Sequence, residues 1–168
     1  MEKNGNKDKK EVRIRIRSER YEVEESLFSG ELGEELSVQS LDAENAPEII
    51  EINTVGYYRV KDGHVEISYE ETEATGMEGS VSSISYMRSQ EGIVTMTRSG
   101  AVSTVLTFEA GKRYQCVYQT PFMPFQICVR TLKVNNLLST LGTLELDYVI
   151  EIRGAKAERN KFSMQLLN

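Results

Sequence analysis

Apolar and polar residues alternate in short runs over most of the chain, with the period of two that is typical of half-buried β-strands. One run lies near the start, and the others follow closely from Ile49 onward. Turn signals such as Asp62-Gly63, Ser99-Gly100 and Ala110-Gly111-Lys112 separate them. The predicted strands are Val12–Arg17, Ile49–Val60, His64–Thr72, Val81–Arg88, Ile93–Arg98, Val102–Glu109, Arg113–Gln119, Phe125–Val134, Leu144–Arg153 and Phe162–Leu167.

Short connections between these strands favour antiparallel pairing of sequence neighbours, since a parallel crossover needs a dozen or more residues. The longest late connection, Asn135–Thr143, is sufficient for one helical turn. So many strands must hide their edges, and closure into a barrel does so. We therefore predict one all-β domain over residues 1–168, an antiparallel up-and-down meander barrel of about 8–10 strands.

Composition agrees with this fold, because 14 Val, 11 Ile and 11 Thr stand against 7 Ala. The net charge of −6 is unevenly spread: residues 1–20 sum to +4, residues 21–79 to −14 and residues 80–168 to +4. Residues 1–10 are polar and are expected to be flexible. The acidic segment Glu22–Glu48 fits a short helix, an extra strand or a long loop. Its charge disfavours nucleic acid and anionic membranes as partners.

The basic run Arg13-Ile14-Arg15-Ile16-Arg17 has two interpretations, a phosphate-binding arm or the solvated face of a strand whose other face is apolar. No apolar run of about 18 residues and no secretion signal is evident, so a cytoplasmic protein is expected. Cys116 and Cys128 are then expected as core thiols. With one histidine, His64, a Cys/His zinc set cannot be assembled, and neither a metal nor a cofactor is expected.

Two charged residues continue apolar strand faces. Glu71 follows Val65, Ile67 and Tyr69 in phase, and Arg98 follows Val94 and Met96. A lone buried charge costs several kcal/mol, so such groups should pair or lie at the barrel mouth. Either Glu71 and Arg98 pair at one barrel end, or both have left the sheet and face water.

Tyrosines are the second unusual feature, with eight in the chain and no tryptophan. Inward phenols would give a cavity apolar walls and hydrogen-bonding tips, although they also fill cores. The residues predicted to line a ligand site in the barrel interior are Tyr58, Tyr69, Glu71, Arg98, Tyr114, Tyr118 and Thr120.

An ordered set of short motifs resembles the YwiB-like family of uncharacterised bacterial β-barrel proteins. The motifs are Gly56-Tyr57-Tyr58, Lys61-Asp62-Gly63, Ser68–Glu73, Gly76-Met77, Arg98-Ser99-Gly100, Phe108–Lys112, Tyr118–Phe122, Thr131 and Leu144–Tyr148. The resemblance covers roughly residues 49–168. It implies a calycin-like, lipocalin-resembling barrel in a cytoplasmic bacterial protein, and it carries over no catalytic residue. The chain has Met123-Pro124 where the family usually has a glycine.

Two functions follow from these features. The first is binding of an unidentified small molecule inside the barrel or at its mouth. The alternative is a non-catalytic interaction or regulatory module that uses outward apolar residues such as Val105, Val117 and Leu132, with a homodimer as one expected assembly. No P-loop, G-x-S-x-G or H-E-x-x-H motif occurs, so the balance is against an enzyme.

Overall fold

The computed structural model describes residues 9–23, 46–152 and 157–167. Within these ranges it contains no α-helix, only a 3-10 helix at Glu73–Thr75 and ten strands. The strands are β1 (Lys9–Val23), β2 (Glu48–Lys61), β3 (His64–Glu70), β4 (Val81–Met87), β5 (Gln90–Ser99), β6 (Thr104–Glu109), β7 (Arg113–Gln119), β8 (Pro124–Leu137), β9 (Thr143–Ile152) and β10 (Ala157–Leu167). The expectations for residues 1–8 and for most of the acidic segment fall outside the described residues.

All ten strands form one antiparallel sheet in the order β6-β5-β4-β3-β2-β1-β10-β9-β8-β7. β1 pairs with both β2 and β10, which joins the two halves of the chain. The end strands β6 and β7 meet at an isolated bridge. There the Ser103 N–H donates to the Gln119 carbonyl over 3.0 Å, and the Gln119 N–H donates back over 2.8 Å. The result is a nearly closed barrel, which confirms the predicted meander and is consistent with a calycin-like architecture.

Several strand ends differ from the predicted ones. β1 and β10 are longer because they pair continuously as far as Val23 and Ala157. β3 ends at Glu70 rather than Thr72, since the Glu71 N–H turns to the Ser80 carbonyl. β8 continues past Val134 to Leu137 because its pairing with β9 persists there. The predicted helical turn is present as an isolated turn, in which the Leu141 N–H donates to the Leu137 carbonyl four residues before it over 2.8 Å.

The barrel interior is filled by one apolar cluster. Ile14, Val65, Val94, Phe108 and Leu144 are fully buried in it. The period-two pattern thus predicted the inward faces of β3 and β5 correctly, because directly paired residues on neighbouring strands lie on the same side of a sheet. Arg13 and Arg15 are exposed on the opposite face of β1, as the interpretation of a solvated strand face requires.

A glycine in β2 allows the closest approach between strands. A Cβ atom at Gly56 would overlap the Ser68 carbonyl oxygen and lie 2.5 Å from Ile14 Cδ1. Gly56 is paired with Tyr69 in β3, so the missing side chain makes room for Ile14 beside this pair.

In the described part of the chain, no helix is long and apolar enough to cross a membrane.

Candidate functional site

Glu71 is held at one end of the barrel by the strand that precedes it. It follows Val65, Ile67 and Tyr69 in alternation, so its side chain keeps their inward direction after β3 has ended. The Glu71 N–H donates to the Ser80 carbonyl over 2.8 Å, which fixes the backbone at this point. The carboxylate side chain is only 2% exposed. A charged group is therefore fixed in the interior.

Ser82 and Arg98 hold the Glu71 carboxylate. Ser82 on β4 is paired with Arg98 on β5, and both point inward. The Ser82 hydroxyl donates to Glu71 Oε1 over 2.6 Å. Arg98 donates through Nε to Ser82 Oγ over 3.2 Å and through Nη2 to Glu71 Oε1 over 3.4 Å. The predicted pairing of Glu71 with Arg98 is confirmed, with Arg98 at 15% side-chain exposure.

A second polar row lies at the same end of the barrel, on strands of the other half. Tyr148 on β9 is paired with Asn160 on β10, and Asn160 is paired with Arg20 on β1. At the rim, Arg20 contacts Glu158 over 3.1 Å and Glu48 over 3.5 Å. Burial raises the pKa of Tyr148 to about 12, while the nearby charges of Arg98 and Arg20 oppose that rise. The charges of both ionic groups therefore act on Tyr148.

We call the residues of this barrel end the mouth cluster. Its members are Tyr69, Glu71, Ser82, Arg98, Tyr148 and Asn160. Two of its buried polar atoms have no hydrogen-bond partner among the described residues, namely Glu71 Oε2 and Asn160 Nδ2. Buried polar atoms are nearly always hydrogen-bonded, so such exceptions call for an explanation. No group of three or more His, Cys, Asp or Glu side chains suited to a metal ion occurs among the residues that the structure describes.

The structure brings together some of the predicted lining residues and separates others. Tyr69, Glu71 and Arg98 belong to the mouth cluster. Tyr118 packs against the apolar cluster beside the bridge that closes the barrel. Tyr58 packs against the apolar cluster further from the mouth, where it is close enough to Tyr86 to affect the pKa of Tyr86.

The last two predicted residues have other roles. The Tyr114 hydroxyl donates to Glu109 Oε2 over 2.6 Å. The Thr120 hydroxyl donates to the Met123 carbonyl over 2.8 Å and accepts from the Phe122 and Met123 N–H groups, so it stabilises the β7–β8 turn. These bonds leave neither hydroxyl available in the mouth cluster.

Sequence reasoning missed Ser82, Tyr148 and Asn160 as members of the site. Tyr148 is in phase with Leu144 and Leu146, but its approach to Arg98 depends on the closure of the barrel. Ser82 is in phase with Ile84 and Tyr86, and that signal could have identified it. Asn160 precedes Phe162 and Met164 by the same alternation, but it lies before the predicted start of the last strand.

Two concavities on the outer wall of the barrel are well defined among the described residues. The first has a volume of about 250 Å³ and is lined by side chains that include Arg17, Lys133, Lys161 and Ser163. The second, about 120 Å³, lies between His64 and Thr95. The outer groove around Ser163 carries ion pairs such as Lys133–Glu145, with an Nζ–Oε2 distance of 3.1 Å.

Alkaline pH is expected to weaken the fold through the buried tyrosines. Burial, the largest cause, raises the pKa of both Tyr69 and Tyr148, and the Glu71 charge adds to the rise at Tyr69. Above pH about 10 the unfolded chain loses phenolic protons that the folded chain retains. The contribution of these two tyrosines to the free energy of unfolding should therefore be constant below pH about 10 and should fall as the pH rises towards 12.

Urea denaturation across this pH range measures that loss. Tyr148→Phe should make the decline shallower, whereas Tyr57→Phe, at a tyrosine that is 48% exposed, should leave it unchanged. An equally steep decline in wild type and Tyr148→Phe would contradict the contribution assigned to Tyr148.

Comparison with known proteins agrees with this architecture. The family model described as "Domain of unknown function (DUF1934)" matches residues 36–164. The crystal structure of ywiB protein from Bacillus subtilis superposes with a TM-score of 0.60 over 94% of each chain, at 18% sequence identity. No curated protein matches the chain. The similarity to ywiB concerns the fold, and the family match covers most of the sequence, as the motif resemblance predicted. The chain therefore belongs to the DUF1934 family of domains of unknown function.

Proposed function

We propose that the chain binds a small molecule at the mouth of its barrel, over the mouth cluster. The observation that carries this function is the unpartnered Glu71 Oε2, on a side chain that Ser82 and Arg98 hold rigidly through the other oxygen. An unsatisfied buried acceptor costs roughly 1–3 kcal/mol or more, and a ligand that donates a hydrogen bond would recover this energy. Fixed polar groups beside aromatic walls are typical of small-molecule sites.

The mouth fits a ligand better than the middle of the barrel does. Below the cluster, side chains such as Ile84, Met96 and Leu106 are buried within the apolar cluster, so little room remains there. At the mouth, Arg98 retains some exposure and Arg20 is half-exposed, so a solute reaches the edge of the cluster, and a side-chain movement would open the buried Glu71 Oε2 to it. We therefore place the ligand at the mouth and not in an enclosed cavity.

A thermal-shift screen of the full chain tests this function. The probes are neutral polyols, amines, carboxylates and nucleosides, each at a series of concentrations. A compound that binds only the folded state raises the melting temperature with concentration. We expect at least one class to do so, and Ser82→Ala should weaken the effect by removing the hydroxyl that bridges Glu71 and Arg98.

Ser163→Ala is the matched control, because Ser163 lies in the outer groove instead of the mouth. It should bind as the wild type does. Loss of binding in Ser163→Ala, with Ser82→Ala unaffected, would place the ligand on the outer wall. The absence of a shift with every class would overturn the proposed function.

The second candidate is an interaction module that acts through the outer surface. It is favoured by exposed apolar side chains on β6, β7 and their neighbouring turn. Val105 is 52% exposed, Val117 is 44% exposed and Phe122 at the β7–β8 turn is 95% exposed. Leu132, which was expected in this patch, instead packs against Val149 and Ala157. A homodimer that Val117→Lys dissociates, measured by sedimentation velocity, would support this candidate.

The cytoplasmic location belongs to the same proposed function. Neither of the two described cysteines is in a disulfide, as a protein of a reducing compartment requires. Cys116 follows the inward alternation of β7, and Cys128 is adjacent to inward-pointing Ile127 and Val129 on β8, so the two thiols lie on opposite faces of the sheet. Burial raises the pKa of Cys116 to about 11, which keeps it a thiol at neutral pH.

A further inference from the structure

The charges of the mouth cluster limit what the proposed ligand can be. Glu71 and Arg98 form an ion pair, so the inner part of the site has no net charge. A cationic ligand at Glu71 would lie beside the Arg98 guanidinium, and an anionic ligand at Arg98 would lie beside the Glu71 carboxylate. Either would pay the cost of a buried unpaired charge. The ion pair therefore selects against both cationic and anionic ligands.

The atoms that lack a hydrogen-bond partner among the described residues indicate which functional groups the ligand requires. Glu71 Oε2 needs a hydrogen-bond donor, and Asn160 Nδ2, at the same end of the barrel, needs an acceptor. A hydroxyl group both donates and accepts, and it carries no charge. Two or more hydroxyls on one carbon skeleton would satisfy both protein atoms.

The aromatic residues of the mouth cluster agree with such a ligand. Tyr69 and Tyr148 contribute aromatic surface with a hydroxyl at the tip, and both phenols are neutral at physiological pH, since burial raises a pKa that is ordinarily about 10. Tyr148 packs against Phe108 with ring centroids 4.6 Å apart, which fixes its ring. The apolar filling below the cluster limits the ligand to a compact molecule.

We infer that the mouth cluster binds a neutral polyhydroxyl compound no larger than a monosaccharide. One hydroxyl donates to Glu71 Oε2, and another accepts from Asn160 Nδ2. The ligand class rests on the proposed function, since it presumes a small-molecule site at the mouth.

Matched pairs of probes test the ligand class with the full chain. Sorbitol and gluconate share an open carbon skeleton, and gluconate adds a negative charge. Glucose and glucosamine share a ring, and glucosamine adds a positive charge. Nuclear magnetic resonance titration would monitor the Arg98 Nε–H and Asn160 side-chain signals. We expect the neutral member of at least one pair to bind about tenfold or more tightly than its charged partner.

A substitution at Glu71 provides a second readout that a purely structural role would not change. In Glu71→Gln the carboxylate charge is removed while the shape is retained, so the charge of Arg98 is no longer balanced. The preference for sorbitol over gluconate should then narrow or reverse. In Glu145→Gln, the same change in an exposed ion pair on the outer wall, the preference should stay as in the wild type.

The outcomes separate the ligand class from the proposed function. Tighter binding of gluconate or glucosamine by the wild type, with shifts at Arg98 and Asn160, would overturn the neutral ligand and leave the mouth site standing. Shifts confined to the outer groove around Ser163 would overturn the mouth site itself, as would no binding by any probe. If Glu71→Gln does not fold, the binding of the two matched probe pairs by the wild type decides between these outcomes.

Discussion

Replacing Arg98 with methionine is expected to lower the free energy of unfolding by about 3–5 kcal/mol, as measured by urea denaturation at neutral pH. The reason is that Glu71 would lose its cationic partner while its side chain stays 2% exposed. Ser82 would still donate to Glu71 Oε1 over 2.6 Å, but one neutral hydrogen bond does not replace a guanidinium. An uncompensated buried carboxylate is among the most costly groups a core can hold.

The reverse substitution should cost less. In Glu71→Leu the unpaired group is Arg98, whose side chain is already 15% exposed and can turn its head towards water. The double variant Glu71→Leu/Arg98→Met leaves no buried charge, so it should recover most of the stability lost in Arg98→Met. This non-additivity is the signature of a buried pair, because breaking one is far more costly than replacing it.

The exposed pair Lys133–Glu145 serves as the control for this cycle. Both of its side chains are more than half exposed, so Lys133→Met should change the stability by less than about 1 kcal/mol. A loss in Arg98→Met no larger than that of Lys133→Met would contradict a buried, structurally required pair. So would additive losses in the double variant.

Much of the fold was predictable because it depends on local alternation. In strands such as Val65–Tyr69 and Leu144–Tyr148, side-chain direction is determined by a period of two, and the short turns between strands permit only antiparallel neighbours. The pairing of β1 with β10 was not predictable in this way, since it joins residues about 150 positions apart. The bridge between Ser103 and Gln119 likewise depends on how the whole sheet coils.

The candidate site was likewise predictable only where it depends on local alternation. Glu71 and Arg98 could be predicted because each continues an apolar face, and a buried charge requires a partner. Tyr114 and Thr120 also continue apolar faces, yet their hydroxyls bind Glu109 and the β7–β8 turn. The period-two alternation gives the direction in which a side chain leaves the strand. It does not show which hydrogen-bond partner lies nearest to the polar end of that side chain. Asn160 was missed because the pattern before Phe162 was too weak to extend the strand.

Gly56→Ala is expected to destabilise the barrel by about 3 kcal/mol, at the upper end of the usual cost of overpacking. The added methyl group would overlap the Ser68 carbonyl oxygen and lie 2.5 Å from Ile14 Cδ1. Ile14 can shift only against a filled core, and the Ser68 oxygen belongs to the strand that carries Tyr69 into the mouth cluster. The β2–β3 pair would have to separate to relieve the contact.

Gly92→Ala is the matched control, because Gly92 also lies within a strand and a Cβ atom there would have no neighbour within 4 Å. Neither glycine has a positive φ, so backbone strain does not distinguish the two positions. Alanine loses less conformational entropy on folding than glycine, so Gly92→Ala should be neutral or stabilising by about 0.5–1 kcal/mol. Urea denaturation should show a loss of stability in Gly56→Ala and none in Gly92→Ala. That difference would attribute the loss to close packing at Gly56, since the general preference of strands against glycine favours alanine at both positions. A neutral Gly56→Ala would show that β2 and β3 can move apart at little cost, and the rigid placement of Tyr69 and Glu71 would then need another cause.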